Sequence, residues 1–223
     1  MEFSKYFDHS LLKAFASQSD FKAFCQEGIM YDVKMLAINP APTAFCKGQV
    51  KGTNVLVGAA IGFPLGQTTF ECKVFETKDA IAKGADEIDY VLDVGAVKSG
   101  NYGYISEEMK AIIAVCRDNN VTSKVIFENC YLNDDEKKAL CEIANRIKPD
   151  FIKTSTGFGT GGATVADVKL MREYSDPAIK VKASGGIRTL EDVQKLIEVG
   201  AERIGTSNTL SIIEAYKASH MQH

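Results

Sequence analysis

Two lysines close short β-branched runs, Lys153 in Phe151-Ile152-Lys153 and Lys182 in Ile179-Lys180-Val181-Lys182, and each is followed by small polar residues. A lysine with its ordinary pKa of about 10.4 is protonated and not nucleophilic at neutral pH. A second ammonium about 5 Å away, at an effective dielectric of about 20, costs roughly 3 kcal/mol and lowers that pKa by about two units before burial is counted. The product is an amine able to form a Schiff base with a carbonyl. A carboxylate such as Asp89, in Glu87-Ile88-Asp89-Tyr90-Val91-Leu92-Asp93, would relay protons through water. The bland alternative is an ion-paired interior without chemistry, since buried charges come in pairs.

A second constellation is rich in glycine. Ala183-Ser184-Gly185-Gly186 follows Lys182, Gly205-Thr206-Ser207-Asn208 follows the last β-branched run, and Thr154-Ser155-Thr156-Gly157 leads toward Gly161-Gly162. Glycine lets backbone N–H groups approach an anion, and barrels often bind phosphate on the loops after their seventh and eighth strands. Histidine is scarce: His9, His220 and His223. A catalytic zinc usually takes three protein ligands, largely histidine, so neither a metal nor another cofactor is expected. His9 reads as a structural residue, with Asp8 beside it free to hold a substrate hydroxyl.

These residues need a frame. β-branched runs at Asp32–Ile38, Asn54–Ile61, Glu87–Leu92, Ser123–Glu128, Phe151–Lys153, Ile179–Lys182 and Arg203–Gly205, with a weaker one at Tyr6–Asp8, alternate with longer stretches. Thr68–Lys83, Ser106–Asn119, Asp134–Ile147 and Thr189–Val199 carry apolar residues at helical spacing. Ser106, Asn133 and Thr189 are expected caps, and Gly84 and Gly200 expected helix stops. Eight strand–helix units without a linker predict one domain over 1–223, a (β/α)₈ TIM barrel, with 214–223 a peripheral tail. The rival, an open doubly wound sheet, lacks its glycine fingerprint after the first strand. Side chains two apart share a strand face, which puts Glu87, Asp89 and Asp93 on one lumen-facing set and Lys124 and Glu128 on another.

Composition narrows the function classes. The chain has 223 residues, 45% apolar and 25% charged, as a globular protein does. A net charge of −3 gives no broad attraction to nucleic acid or anionic lipid. No apolar stretch approaches a membrane span, and Met1–Ser10 has no signal-peptide core. Six cysteines without a C-x-x-C pair suit free thiols in the cytoplasm.

At these motifs the sequence resembles the deoxyribose-phosphate aldolases, the class I DeoC family. The resemblance rests on Asp8-His9-Ser10-Leu11-Leu12-Lys13, Gly62-Phe63-Pro64-Leu65-Gly66, Glu87-Ile88-Asp89, Asp150 through Phe158, Gly161 through Val165, Val181 through Thr189 and Arg203 through Ser207. It implies metal-free, reversible cleavage of 2-deoxy-D-ribose 5-phosphate to acetaldehyde and D-glyceraldehyde 3-phosphate. Lys153 would be the nucleophile, Lys182 its pKa-lowering neighbour and Asp89 the proton relay. Asp8, Lys124, Thr154, Gly157, Gly185, Gly186, Ser207 and Asn208 would meet the substrate or its phosphate. The partners implied are small phosphosugars and aldehydes, with a homodimer or a monomer as the assembly.

The chain departs from the family pattern at several places. Ala37 stands in place of a cysteine, Asp93 of an asparagine, Lys180 of a glycine and Asn208 of a second serine. The chain ends in His220-Met221-Gln222-His223 rather than a tyrosine. Two other readings share the motifs: a different lysine-dependent phosphosugar lyase or isomerase, and a non-catalytic phosphosugar binder. The second has no use for Lys153, Lys182 and Asp89 together.

Overall fold

The computed structural model describes residues 2–220. Eight parallel strands form a closed barrel in chain order: β1 Phe7–Leu11, β2 Met35–Ile38, β3 Leu56–Ile61, β4 Glu87–Val91, β5 Thr122–Ile126, β6 Phe151–Lys153, β7 Lys180–Ser184 and β8 Ala201–Thr206. β8 closes on β1 through Phe7–Ile204, Asp8–Gly205 and His9–Thr206. The helices are α1 Gln18–Met30, α2 Thr43–Gln49, α3 Phe70–Ala82, α4 Val94–Lys98, α5 Tyr102–Asp118, α6 Asp134–Ile147, α7 Val165–Tyr174, α8 Leu190–Glu198 and α9 Thr209–His220.

Strand alternation separates two interiors. Leu36, Ile38, Val57, Ile61, Ile88, Tyr90, Val125, Ile152, Val181 and Ile204 face outward and pack with the helices in one apolar core. Met35, Glu87, Asp89, Lys124, Phe151, Lys153, Lys182 and Arg203 are buried on the other face, in the lumen. At Gly58 an added Cβ would meet the Met35 thioether that fills the lumen beside it, so Met35 would have to shift to admit it.

Caps form where side chains can reach backbone. Asn133 and Thr189 each make a capping box, with Glu136 and Asp192. Gly84 and Gly200 end their helices at φ of 98° and 107°. Ser106 is not a cap: α5 begins a turn earlier, where Asn101 Oδ1 accepts from the Tyr104 N–H at 3.2 Å. The β-branched runs overshoot the strands. Asp32 turns with φ 47°, so β2 starts at Met35, and Glu128 turns with φ 57°, so β5 stops at Ile126. Within the expected peripheral tail, residues 214–220 continue α9, with Tyr216 stacked on Phe3 at 3.9 Å between ring centroids. The end of the expected tail, residues 221–223, lies outside the described residues.

Candidate active site

Asp89, on the lumen face of β4, is the hub of the interior. Its Oδ2 accepts from Lys153 Nζ at 2.8 Å and from Lys182 Nζ at 2.6 Å, and its Oδ1 accepts from Lys124 Nζ at 2.6 Å. The pairing register makes this possible: Lys153 sits opposite Lys182 across β6 and β7, and Lys124 opposite Asp89 across β4 and β5. Lys153 and Lys182 therefore share a single oxygen, which makes neighbours of the two ammonium groups. Below this layer, Asp8 Oδ2 lies 2.5 Å from Lys182 Nζ, and Arg203 donates from Nε to Asp8 Oδ1 at 2.8 Å. Glu87 bridges Lys124 at 2.5 Å and Arg203 at 2.9 Å.

The electrostatics are uneven. Burial pushes the Lys153 amine down; Asp89 opposes this and Lys182 adds to it, leaving the pKa at about 8. Lys124 is as deeply buried, but Asp89, Glu87 and Asp8 outweigh the desolvation and hold it firmly charged. Burial alone would raise Asp8 and Asp89; the surrounding cations reverse it and keep both carboxylates below their ordinary range, Asp89 well below. Of Lys153 and Lys124, the amine pushed toward neutrality is thus the one at the floor of the cavity.

That cavity opens at the carboxyl ends of the strands, with a volume of about 770 Å³. Asp89 and Lys153 reach its floor, Ala37 and Ala60 form one wall, and Gly157, Gly185, Gly186, Ser207 and Asn208 line the opposite side. The glycine loops meet there. Gly157, Gly185 and Gly186 have φ of 89°, 82° and 74°, a conformation that favours glycine. A Cβ on Gly162 would collide with the Gly185 carbonyl, so the β6 and β7 loops touch backbone to backbone. The backbone N–H groups of Gly157, Gly185, Gly186 and Ser207 donate to nothing among the described residues. Four such donors on one wall suit an anion.

Several expected positions differ. Thr154 does not line the cavity: its hydroxyl accepts from the Ser184 N–H at 3.1 Å and donates to the Ser184 carbonyl at 3.2 Å, tying β6 to β7. Asp8 and Lys124 lie under Asp89, fully buried and outside the lining. The Asn208 N–H is taken by Thr206 Oγ1 at 3.0 Å. Asp93 leaves the lumen because β4 has already ended; it caps α4 by accepting from the Ala96 N–H at 3.0 Å. Glu128 turns away from the lysines and accepts from the Thr156 N–H at 3.1 Å and from its hydroxyl, bracing the β6 loop. His9 lies 3.3 Å from Glu27 and stacks on Phe24. Lys180 is exposed, with Nζ 5.6 Å from the Phe151 ring centroid. Sequence reasoning gave Arg203 no role. The available signal was its place two residues before Gly205 on the same strand face.

A closed parallel barrel with a paired-lysine carboxylate at the carboxyl ends of its strands defines the class: a (β/α)₈ protein equipped for amine chemistry on a small anion. The family model described as DeoC/LacD family aldolase matches residues 5–212, and the chain belongs to that family. The deoxyribose-phosphate aldolase of Lactobacillus acidophilus is 51% identical over 97% of this chain and 91% of its own length. That of Bacteroides thetaiotaomicron is 51% identical over 94% and 88%. Among solved structures, the deoxyribose phosphate aldolase of Aeropyrum pernix, described as a unique tetramer, superposes with a TM-score of 0.88 at 29% identity, covering 95% of this chain and 89% of its own.

Proposed function

We propose that this family aldolase reversibly cleaves 2-deoxy-D-ribose 5-phosphate to acetaldehyde and D-glyceraldehyde 3-phosphate through a Schiff base on Lys153. The observation that carries this reading is the sharing of Asp89 Oδ2 by Lys153 and Lys182, with Lys153 depressed to about 8. A neutral Lys153 Nζ adds to the aldehyde C1. The carbinolamine oxygen leaves as water, with Asp89 and Lys182 supplying and receiving the protons. A base then takes the proton of the C3 hydroxyl, the C2–C3 bond breaks, and its electron pair moves into the iminium to give an enamine. D-glyceraldehyde 3-phosphate departs, C2 is protonated, and water releases acetaldehyde from Lys153. The 5-phosphate would rest on the N–H groups of Gly157, Gly185, Gly186 and Ser207, away from the lysines. Asn208 borders that place, and Asp8 and Lys124 act from beneath by holding Lys182 and Asp89.

The test is borohydride reduction with acetaldehyde, followed by intact mass and peptide mapping. One ethyl adduct on Lys153, absent from Lys153→Leu, is expected. Adducts scattered over surface lysines would overturn the assignment.

We also infer a cytoplasmic enzyme, supported by six free cysteines and by the absence, among the described residues, of any helix long and apolar enough to cross a membrane. We infer a homodimer or a monomer as the assembly. Light scattering on the eluting protein distinguishes the two from each other and from a tetramer.

A further inference from the structure

The lumen holds more ionised groups than amine chemistry alone requires. We propose that Glu87 and Arg203 are positioning residues that touch no substrate atom and set the charge of the barrel interior so that the proton on Lys153 is its one unmatched charge. This rests on Lys153 being the nucleophile.

Charged groups surround Lys153 from five strands. β4 brings Asp89 and Glu87, β5 brings Lys124, β7 brings Lys182, β1 brings Asp8 and β8 brings Arg203. β2 and β3 contribute Met35, Ala37, Gly58 and Ala60, none of them charged. The remaining nearby ionisable groups are turned elsewhere: Glu128 to Thr156, His9 to Glu27, and Lys180 to the exposed lower rim. Without Lys153, three carboxylates (Asp8, Glu87 and Asp89) balance three cations (Lys124, Lys182 and Arg203). Protonating Lys153 adds a single positive charge with no carboxylate of its own, since Asp89 is already claimed by Lys124 and Lys182.

Glu87 and Arg203 are what keep this set even. Glu87 reaches Lys124 at 2.5 Å and Arg203 at 2.9 and 3.3 Å. Arg203 in turn holds Asp8. The Phe151 ring closes the layer, its centroid 5.5 Å from the Arg203 guanidinium and 6.0 Å from Lys124 Nζ, and Phe151 itself is 5% exposed. Neither residue lines the cavity. Removing Glu87's charge leaves the lumen positive before Lys153 is protonated, and also draws Lys124 more fully onto Asp89. Both effects work against the Lys153 ammonium. Removing Arg203's charge does the reverse.

The experiment is trapping of acetaldehyde on Lys153 by sodium cyanoborohydride as a function of pH, read by peptide mapping. It compares the wild type with Glu87→Gln, Arg203→Gln and the double variant, each checked for folding by circular dichroism. The trapping midpoint is expected to move down by about one pH unit in Glu87→Gln and up by about one in Arg203→Gln. In the double variant, where both charges are gone, it should return to within a few tenths of wild type. If one single variant does not fold, the sign of the other's shift decides. A midpoint unmoved or moved the wrong way in a folded single, or a double variant that does not return, overturns the proposal. If Lys153 in the wild type is not trapped at any pH, the Schiff-base reading fails instead, and the two failures are distinct.

Discussion

Two of the places where the protein buries lysine give different results. Outside the barrel, Lys73 of α3 and Glu108 of α5 form an ion pair with both side chains wholly buried. Lys73 Nζ also donates to the Val91 carbonyl at 2.8 Å, and Glu108 Oε2 accepts from the Asp93 N–H at 3.2 Å. Burial pushes the Glu108 carboxyl up, against the pull of Lys73. In the lumen, four cations meet three carboxylates, and Lys153 falls to about 8. Burial is common to both sites. One-to-one matching makes a brace that pins the end of β4, whereas one cation too many leaves an amine that can shed its proton.

The strongest way to break this contrast is to remove each lysine. Lys153→Met is expected to lower kcat/KM for deoxyribose 5-phosphate by about 10⁴-fold or more, since the covalent route is gone. It should also stabilise the fold by about 1–3 kcal/mol at pH 7, measured by urea unfolding. The sign follows from linkage. The amine sits at about 8 when folded and at an ordinary value of about 10.4 when unfolded, so holding its proton in the folded state carries a penalty. That penalty is complete below pH 8 and fades as pH rises through the window to 10.4, where the variant's advantage should shrink. Equal stability at pH 7 would mean that the lumen charge is already relieved.

Lys73→Met should do the opposite, costing about 3–5 kcal/mol because it strands Glu108 in an apolar site. Activity per folded molecule should stay within about threefold of wild type. Replacing Glu108 as well, with leucine, should recover much of the loss. Loss of activity beyond the folded fraction would place Lys73 in the machinery after all.

The pH profile sharpens the contrast at the next scale. If Lys153 must be neutral to attack, kcat/KM falls about tenfold per pH unit below a midpoint near 8, since the free-enzyme profile reports this group. A flat profile from pH 6 to 8 would count against a titrating Lys153.

How much of this was readable beforehand depended on the range of the interaction. The barrel, Lys153, Lys182 and Asp89 followed from local pattern: β-branched runs, strand alternation and turn glycines all act within a few residues. Asp93 and Glu128 were misplaced because alternation was carried past the strand ends, where Glu128 turns left-handed and Asp93 caps a helix. Thr154 looked like a ligand beside Lys153, but its hydroxyl is taken by Ser184, thirty positions away. The roles of Glu87 and Arg203 depend on a separation of 116 residues, and the Lys73–Glu108 pair on one of 35. No spacing rule encodes such pairs; only the closed register brings them together.

The smallest effect tests whether charge or burial makes the lumen special. Lys180 lies one turn of alternation below Lys182, on the same strand, and adds another positive charge near Phe151. If the number of charges alone set the Lys153 amine, Lys180→Ala would move the low-pH limb as far as a lumen variant does. Lys180 is exposed, however, so water and salt screen it, with a Debye length of about 8 Å at physiological ionic strength. The expected shift is therefore upward, as loss of a cation requires, but no more than about 0.2 pH units, shrinking further as salt is added. A shift near one unit that persisted at about 1 M salt would mean that the field at Lys153 reaches through the barrel floor. The sharp boundary between buried lumen and screened rim would then have to be abandoned.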